Sequence, residues 1–107
     1  MNQIDLQECI KNNQIIKITP NPSKIKSLIK ISNERIIYIE NIKEINYNFL
    51  FENYYTSLLE LIHALAEINN FKILNHICIK HFLKEILSNQ DISTEFDECS
   101  LLRSNLI

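Results

Sequence analysis

The sequence predicts an all-α fold, an up-down bundle of four main helices preceded by a short extra N-terminal helix. Three observations predict it. Gly is absent from the 107 residues, which disfavours tight primed-turn hairpins and excludes Gly-rich phosphate loops. Two long stretches, 22–42 and 49–69, repeat their apolar residues at a helical period. The connections between periodic stretches are short, so consecutive helices are expected as antiparallel neighbours. The length suits one domain with one core. It divides into residues 1–20, a short helix with an extended connector, and residues 21–107, the helical bundle.

Residues 4–13 read as the short helix, with Asp5 and Glu8 in its first turns, where the helix dipole favours acids. Ile15 to Ile18 is apolar and β-branched but stops at Pro20, so it reads as an extended connector packed on the bundle. Asn21-Pro22-Ser23 is a helix start, capped either by Asn21 with Pro22 at the first helical position or by Ser23. In the helix that follows, Ile25, Leu28, Ile29, Ser32, Ile36 and Ile39 fall on one stripe, and Lys26, Lys30, Glu34 and Asn41 fall opposite.

Residues 44–48 read as a turn. From Phe49 to Asn69 the apolar residues cover about half the helix circumference, while Glu52, Thr56, Glu60, His63 and Glu67 share the other half. So wide an apolar arc places this helix at the bundle centre. Phe71 to Leu74 reads as a link, and Asn75 caps a third helix with Ile79, Phe82, Leu83 and Ile86 inward and Lys80, His81 and Lys84 outward. After a loop at 88–92, Ser93 or Thr94 caps the last helix, with Glu95, Asp97 and Glu98 in its first turn. With Gly absent, Asn is expected to close helix C-termini.

The formal net charge is −2, so the whole chain is not a basic nucleic-acid binder. The charges are uneven. Lys17, Lys24, Lys26, Lys30 and Arg35 meet only Glu34 among acids, whereas Asp91, Glu95, Asp97 and Glu98 form an acidic stretch. Lys24 and Lys26 sit in a first helical turn, where the dipole disfavours cations and an anionic partner would offset the cost. Enrichment in Ile, Asn and Lys reflects an AT-rich coding sequence.

The cysteines Cys9, Cys78 and Cys99 are odd in number and form no CxxC pair, which argues against a zinc knuckle and for free buried thiols in a reducing cytosol. No signal-peptide pattern opens the chain and no apolar run is long enough for a bilayer, so a cytoplasmic location without membrane contact is expected.

No nucleophile elbow is available without Gly. His76 and His81 point to different faces of one helix, and His63 lies on another, so no metal and no cofactor are expected. His63, beside Glu60 and Glu67, is placed for a raised pKa. Phe49, Phe51, Tyr54 and Tyr55 read as core packing, with a base-stacking platform as the alternative. Arg103 is the most informative residue. On the last helix it rotates among Phe96, Cys99, Leu102, Leu106 and Ile107. A guanidinium there must find a carboxylate or an open groove, or snorkel near the helix end.

Three segments carry a resemblance. SKIKSLIKISNERIIYIENI at 23–42 looks like the first helix of the HEPN superfamily, ENYYTSLLELIHALAEINNFKILNHICIKHFL at 52–83 like its central helix-linker-helix, and FDECSLLRSNLI at 96–107 like the start of its last helix. They lie within residues 22–107, a span of about four-fifths of the chain, and the chain resembles the small prokaryotic HEPN-like proteins. The resemblance implies a dimer and a possible partner in a minimal nucleotidyltransferase antitoxin, or RNA. In nuclease members, which are metal-independent toxin-type ribonucleases, an Arg is followed by a polar residue and, a few residues later, by His. Arg103 matches that Arg and Ser104 the polar position, so these two are the candidate catalytic residues. No His follows Arg103, and the general acid/base for 2′-OH cleavage is missing. The expectation is therefore a non-catalytic member acting through dimerisation and partner binding. The alternatives are a ribonuclease whose His lies beyond residue 107, with the last helix truncated here, and a plain helical scaffold.

Overall fold

The structure is a computed structural model that describes residues 5–43 and 46–106; the side chains of 104–106 fall outside that description. Ile4, two residues of the expected 44–48 turn, the Ser104 side chain and the apolar positions Leu106 and Ile107 therefore lie outside the described side chains.

The chain is mainly helical. In order it forms α1 (Leu6–Lys11), β1 (Ile15–Lys17), α2 (Pro22–Glu40), α3 (Tyr47–Ile68), β2 (Phe71–Ile73), a helical segment at 76–86 that includes α4 (Ile79–His81), and α5 (Gln90–Leu106). Asn side chains start most of these helices. Asn21 Oδ1 accepts the N–H groups of Ser23 and Lys24, which settles the α2 start in favour of Asn21 with Pro22 first. Asn46 Oδ1 accepts the Phe49 N–H at 3.0 Å and Asn75 Oδ1 the Ile77 N–H at 2.9 Å. At the other ends, Asn13, Asn70 and Ser88 take positive φ of 56°, 70° and 55°. These small polar residues stand where a glycine commonly sits, because they tolerate the left-handed region best among side-chain-bearing residues.

Two connectors become strands. Ile15–Lys17 and Phe71–Ile73 pair antiparallel, with Ile15 opposite Ile73 and Lys17 opposite Phe71. The read of 15–18 as connector and 71–74 as link is corrected accordingly. Each segment is too short to signal a strand alone; paired, their backbone groups satisfy one another. No tight hairpin turn is needed, because the strands are far apart in sequence.

α3 is the element against which α2, β2 and α5 pack. Its core-side residues Tyr55, Ile62 and Ala66 join Ile15, Ile73, Ile79, Phe82, Leu83 and Phe96 in one cluster. On its other side α2 runs antiparallel and close, since the facing residues are serines. Ser32 Oγ donates to the Ser57 carbonyl at 3.1 Å, and Ser57 Oγ to the Ser32 carbonyl at 3.5 Å, both fully buried.

The 76–86 segment changes pitch along its length, from a 3-10 turn (His76–Cys78) through α4 to a π turn (Phe82–Ile86). The changes bring Ile79, Phe82 and Leu83 inward together, all 0% exposed. α5 starts earlier than the Ser93 or Thr94 cap expected from the sequence. Asn89 Oδ1 accepts the Ile92 N–H, while Ser93 is buried and donates its hydroxyl to the Lys80 carbonyl at 3.0 Å. The acids Glu95, Asp97 and Glu98 consequently sit beyond the first turn, which holds Asp91.

The cysteine expectation is also corrected. Cys9 and Cys78 are joined by a disulfide that ties α1 to the start of the 76–86 segment, and Cys99 is free. Both bonded residues are buried at 1% exposure; their pairing depends on a tertiary approach between residues 69 apart.

Candidate functional site

Arg103 stands on α5 where it faces α3. Its Nε donates to both carboxylate oxygens of Glu52, at 3.2 and 3.1 Å, and its guanidinium carbon lies 5.3 Å from the centre of the Tyr55 ring. The carboxylate that an arginine at this position requires is therefore Glu52, one of the polar-arc residues of the central helix. Both side chains remain about two-fifths exposed, so the pair sits at the rim of the α3–α5 contact. Leu102, expected on the inward face of α5, is 54% exposed. The inward residues are Ser93, Phe96 and, partly, Cys99 and Arg103.

The aromatic cluster divides. Tyr55 is buried between Phe51 and Phe96, with ring centroids 6.3 and 6.0 Å away and planes nearly parallel. That stack is core packing. Tyr54 and Phe49 are more than two-fifths exposed. A shallow hollow of about 120 Å³, lined by Phe51, Tyr54, Tyr55, Leu58 and Cys99, lies beside the stack.

The basic run of α2 is largely neutralised from within. Arg35 donates through Nε and Nη2 to Glu60 at 3.0 and 3.4 Å, and Lys24 Nζ lies 3.2 Å from Glu67. The Glu67 side chain is only 4% exposed and also accepts the Asn21 N–H. Its burial corrects its placement on the polar arc. Of the two cations in the first turn of α2, Lys24 has an internal anionic partner, and Lys26 has no ion pair among the described residues. Glu67 sits at the N-terminus of α2, where dipole and lysine both favour its charge.

His63 is half-buried, and its pKa falls below the ordinary histidine value, against the raised value expected beside Glu60 and Glu67. Burial is the main cause, followed by the nearby charges of His76 and Lys24. Glu60 and Glu67 are already occupied by Arg35 and Lys24. The fold does bring His63 and His76 within electrostatic reach, yet no group of three or more His, Cys, Asp or Glu able to hold a metal occurs among the described residues. His81, expected to face outward, is largely buried instead; its Nδ1 lies 3.5 Å from Glu85, and its Nε2 is buried with no hydrogen-bond partner among the described residues.

A groove runs between the 76–86 segment and α5. One end is a hollow of about 160 Å³ lined by His76, Lys80, Asp97 and Ser100, and the other a hollow of about 310 Å³ that adds Lys84 and Thr94. The groove carries both basic and acidic groups. A further hollow of about 300 Å³, lined by Tyr38, Ile42, Asn46 and Phe49, opens at the α2–α3 turn.

The hairpin also exposes apolar side chains. Along the α2–α3 hairpin Ile29, Ile31, Ile37, Tyr38, Tyr54 and Leu65 are all exposed by more than a third. Periodicity assigned Ile29, Tyr54 and Leu65 to the core, because it measures amphipathicity and not which side of a helix finds a neighbour. No helix among the described residues is long and apolar enough to cross a membrane. No family model, curated protein or solved structure matches the chain.

Proposed function

We propose that the chain is a HEPN-like helical interaction module that works by associating with a second copy and with a protein partner, and that does not cleave RNA through the residues shown here. In this reading α2, α3, the 76–86 segment and α5 stand for the four helices of the expected up-down bundle. The observation that carries it is the apolar surface left open on the α2–α3 hairpin. Ile31 and Tyr38 are exposed beside the Lys24–Glu67 and Arg35–Glu60 pairs, and the other flank leaves Ile29, Tyr54 and Leu65 to solvent. A contiguous apolar strip bordered by charge is the mark of a protein contact. The internal pairing of α2's cations favours a protein over RNA as the partner, and a nucleotidyltransferase-type protein is the heterologous partner that the family resemblance implies.

Arg103 supports a binding role more than a catalytic one, because its guanidinium is engaged by Glu52 and Tyr55. The rival ribonuclease, with its His beyond residue 107, keeps one point in its favour: Arg103 is partly open to solvent. The expected cytoplasmic location has the Cys9–Cys78 disulfide against it, since cytosolic thiols are kept reduced; the redox state of that pair in cells decides the compartment.

Two measurements test the proposal. Sedimentation equilibrium from micromolar to millimolar protein is expected to show concentration-dependent association. RNA incubated with the chain and with Arg103→Ala is expected to remain intact in both cases. A strictly monomeric chain, or cleavage that Arg103→Ala abolishes, refutes it.

A further inference from the structure

We infer that the side of the α2–α3 hairpin carrying Ile29, Tyr54 and Leu65 seats a second copy of this chain, the two hairpins stacking face to face about a two-fold axis with their α2 helices antiparallel and centred on Asn33. The inference rests on the association reading above and adds the surface and the register.

The side is defined by helical rotation. Ser32 and Ser57 mark the line where α2 meets α3. From Ser32, Ile29 and Ile36 rotate onto one flank of α2; from Ser57, Tyr54, Leu61 and Leu65 rotate in the same sense on α3. In an antiparallel pair, equal rotations land on the same side. The ion pairs on the opposite flank, Lys24–Glu67 and Arg35–Glu60, obey that rule. These five apolar side chains therefore line one side of the hairpin. Ile29, Tyr54 and Leu65 are 37%, 44% and 38% exposed.

The occupant is identified by charge. Lys26, Asn33 and Glu40 lie on this flank at intervals of seven residues, all exposed. Neither Lys26 nor Glu40 has an ion-pair partner among the described residues. Seven residues advance about 10.5 Å and keep the same side of the helix. Two antiparallel copies of α2 centred on Asn33 place Lys26 opposite Glu40 of the other copy, twice. They also place the two Asn33 amides side by side, where a polar pair pins the register. A parallel arrangement in register opposes lysine to lysine and glutamate to glutamate. The pattern is self-complementary in one orientation, as a two-fold interface requires.

The size agrees. The 19 residues of α2 span about 28 Å at the helical rise. Two helices side by side are about 20 Å wide, so the footprint is roughly 560 Å² before surface relief is counted. That approaches the roughly 800 Å² of accessible surface per partner of a stable protein contact.

The test is a charge swap followed by sedimentation equilibrium, with far-UV circular dichroism to verify folding. The positions are exposed, so the variants are expected to fold as the parent does. Lys26→Glu and Glu40→Lys alone each oppose like charges twice, and each is expected to weaken dimerisation by about tenfold. An equimolar mixture of the two variants restores both cross-pairs in a heterodimer, and the double variant restores them in a homodimer. Both are expected to return to parental affinity. A dimer that the single variants leave unchanged overturns this inference while the association reading stands, because the contact then lies elsewhere. Weakening that neither the mixture nor the double variant reverses overturns the register. A chain that stays monomeric to millimolar concentration overturns both the inference and the self-association beneath it.

Discussion

Removing the carboxylate of Glu67 should destabilise the fold more than any other change of a surface-derived charge. The side chain is 4% exposed and holds two groups of α2, the Lys24 ammonium at 3.2 Å and the Asn21 N–H at 3.2 Å. Lys24 is 46% exposed, so water screens that pair and it contributes less than about 1 kcal/mol. The Asn21 N–H is a different case, because it loses its acceptor in a part-buried setting. A hydrogen bond to a charged acceptor is worth about 1.5–3 kcal/mol. Glu67→Ala is therefore predicted to cost about 2–3 kcal/mol in all. Glu67→Gln keeps an acceptor oxygen and should cost about 1 kcal/mol. Lys24→Ala should cost less than about 1 kcal/mol. Urea unfolding at neutral pH measures all three. With a slope of about 1.5 kcal/mol per molar for a chain of this size, Glu67→Ala should move the midpoint down by about 1.3–2 M with the slope unchanged. A loss below about 0.5 kcal/mol, or a Lys24→Ala loss equal to it, would refute the assignment of the N–H as the main beneficiary.

Three further outcomes follow from single features. His63 has a lowered folded-state pKa, so its contribution is complete above the unfolded value of 6.5 and fades as pH falls; the urea midpoint should drop between neutral and mildly acidic pH, and His63→Gln should flatten that drop. The Cys9–Cys78 disulfide closes a loop of 69 residues, for which chain entropy predicts about 4 kcal/mol; reductant or Cys9→Ser should lower the melting temperature markedly, and an intact-mass and thiol-labelling assay of the untreated protein should find one reactive cysteine, Cys99. Asn89→Ala should cost about 1 kcal/mol through loss of the α5 cap, and Thr94→Ala only a few tenths; the reverse order by thermal melts would place the helix start where local signals alone put it.

Much of the local structure could be read from the chain. Asn21-Pro22 starts a helix because a short amide accepts the first free N–H groups and Pro lacks the one it would leave unpaired. Positive φ at Asn13 and Asn70 follows the same economy in a sequence without Gly. The candidate site was half legible. An arginine among apolar neighbours demands a carboxylate, and that demand is met. That the carboxylate is Glu52 could not be read, because a pair 51 residues apart depends on how α5 lies across α3. The misplacement of Glu67 and His81 has the same origin: rotation about one helix says which residues share a face, not which face another helix covers.

By itself the sequence determined the class of the elements, because helical periodicity, caps and connection lengths are local and are satisfied within a few residues. It also excluded the Gly-containing phosphate-loop and nucleophile-elbow motifs, since the chain has no Gly. Tertiary structure decided everything that joins distant residues. It paired Ile15–Lys17 with Phe71–Ile73, bonded Cys9 to Cys78, turned Lys24 and Arg35 into internal counter-ions for α3, and left apolar side chains of the α2–α3 hairpin open. Those outcomes depend on which surfaces meet first and pack best, and no local pattern records that competition.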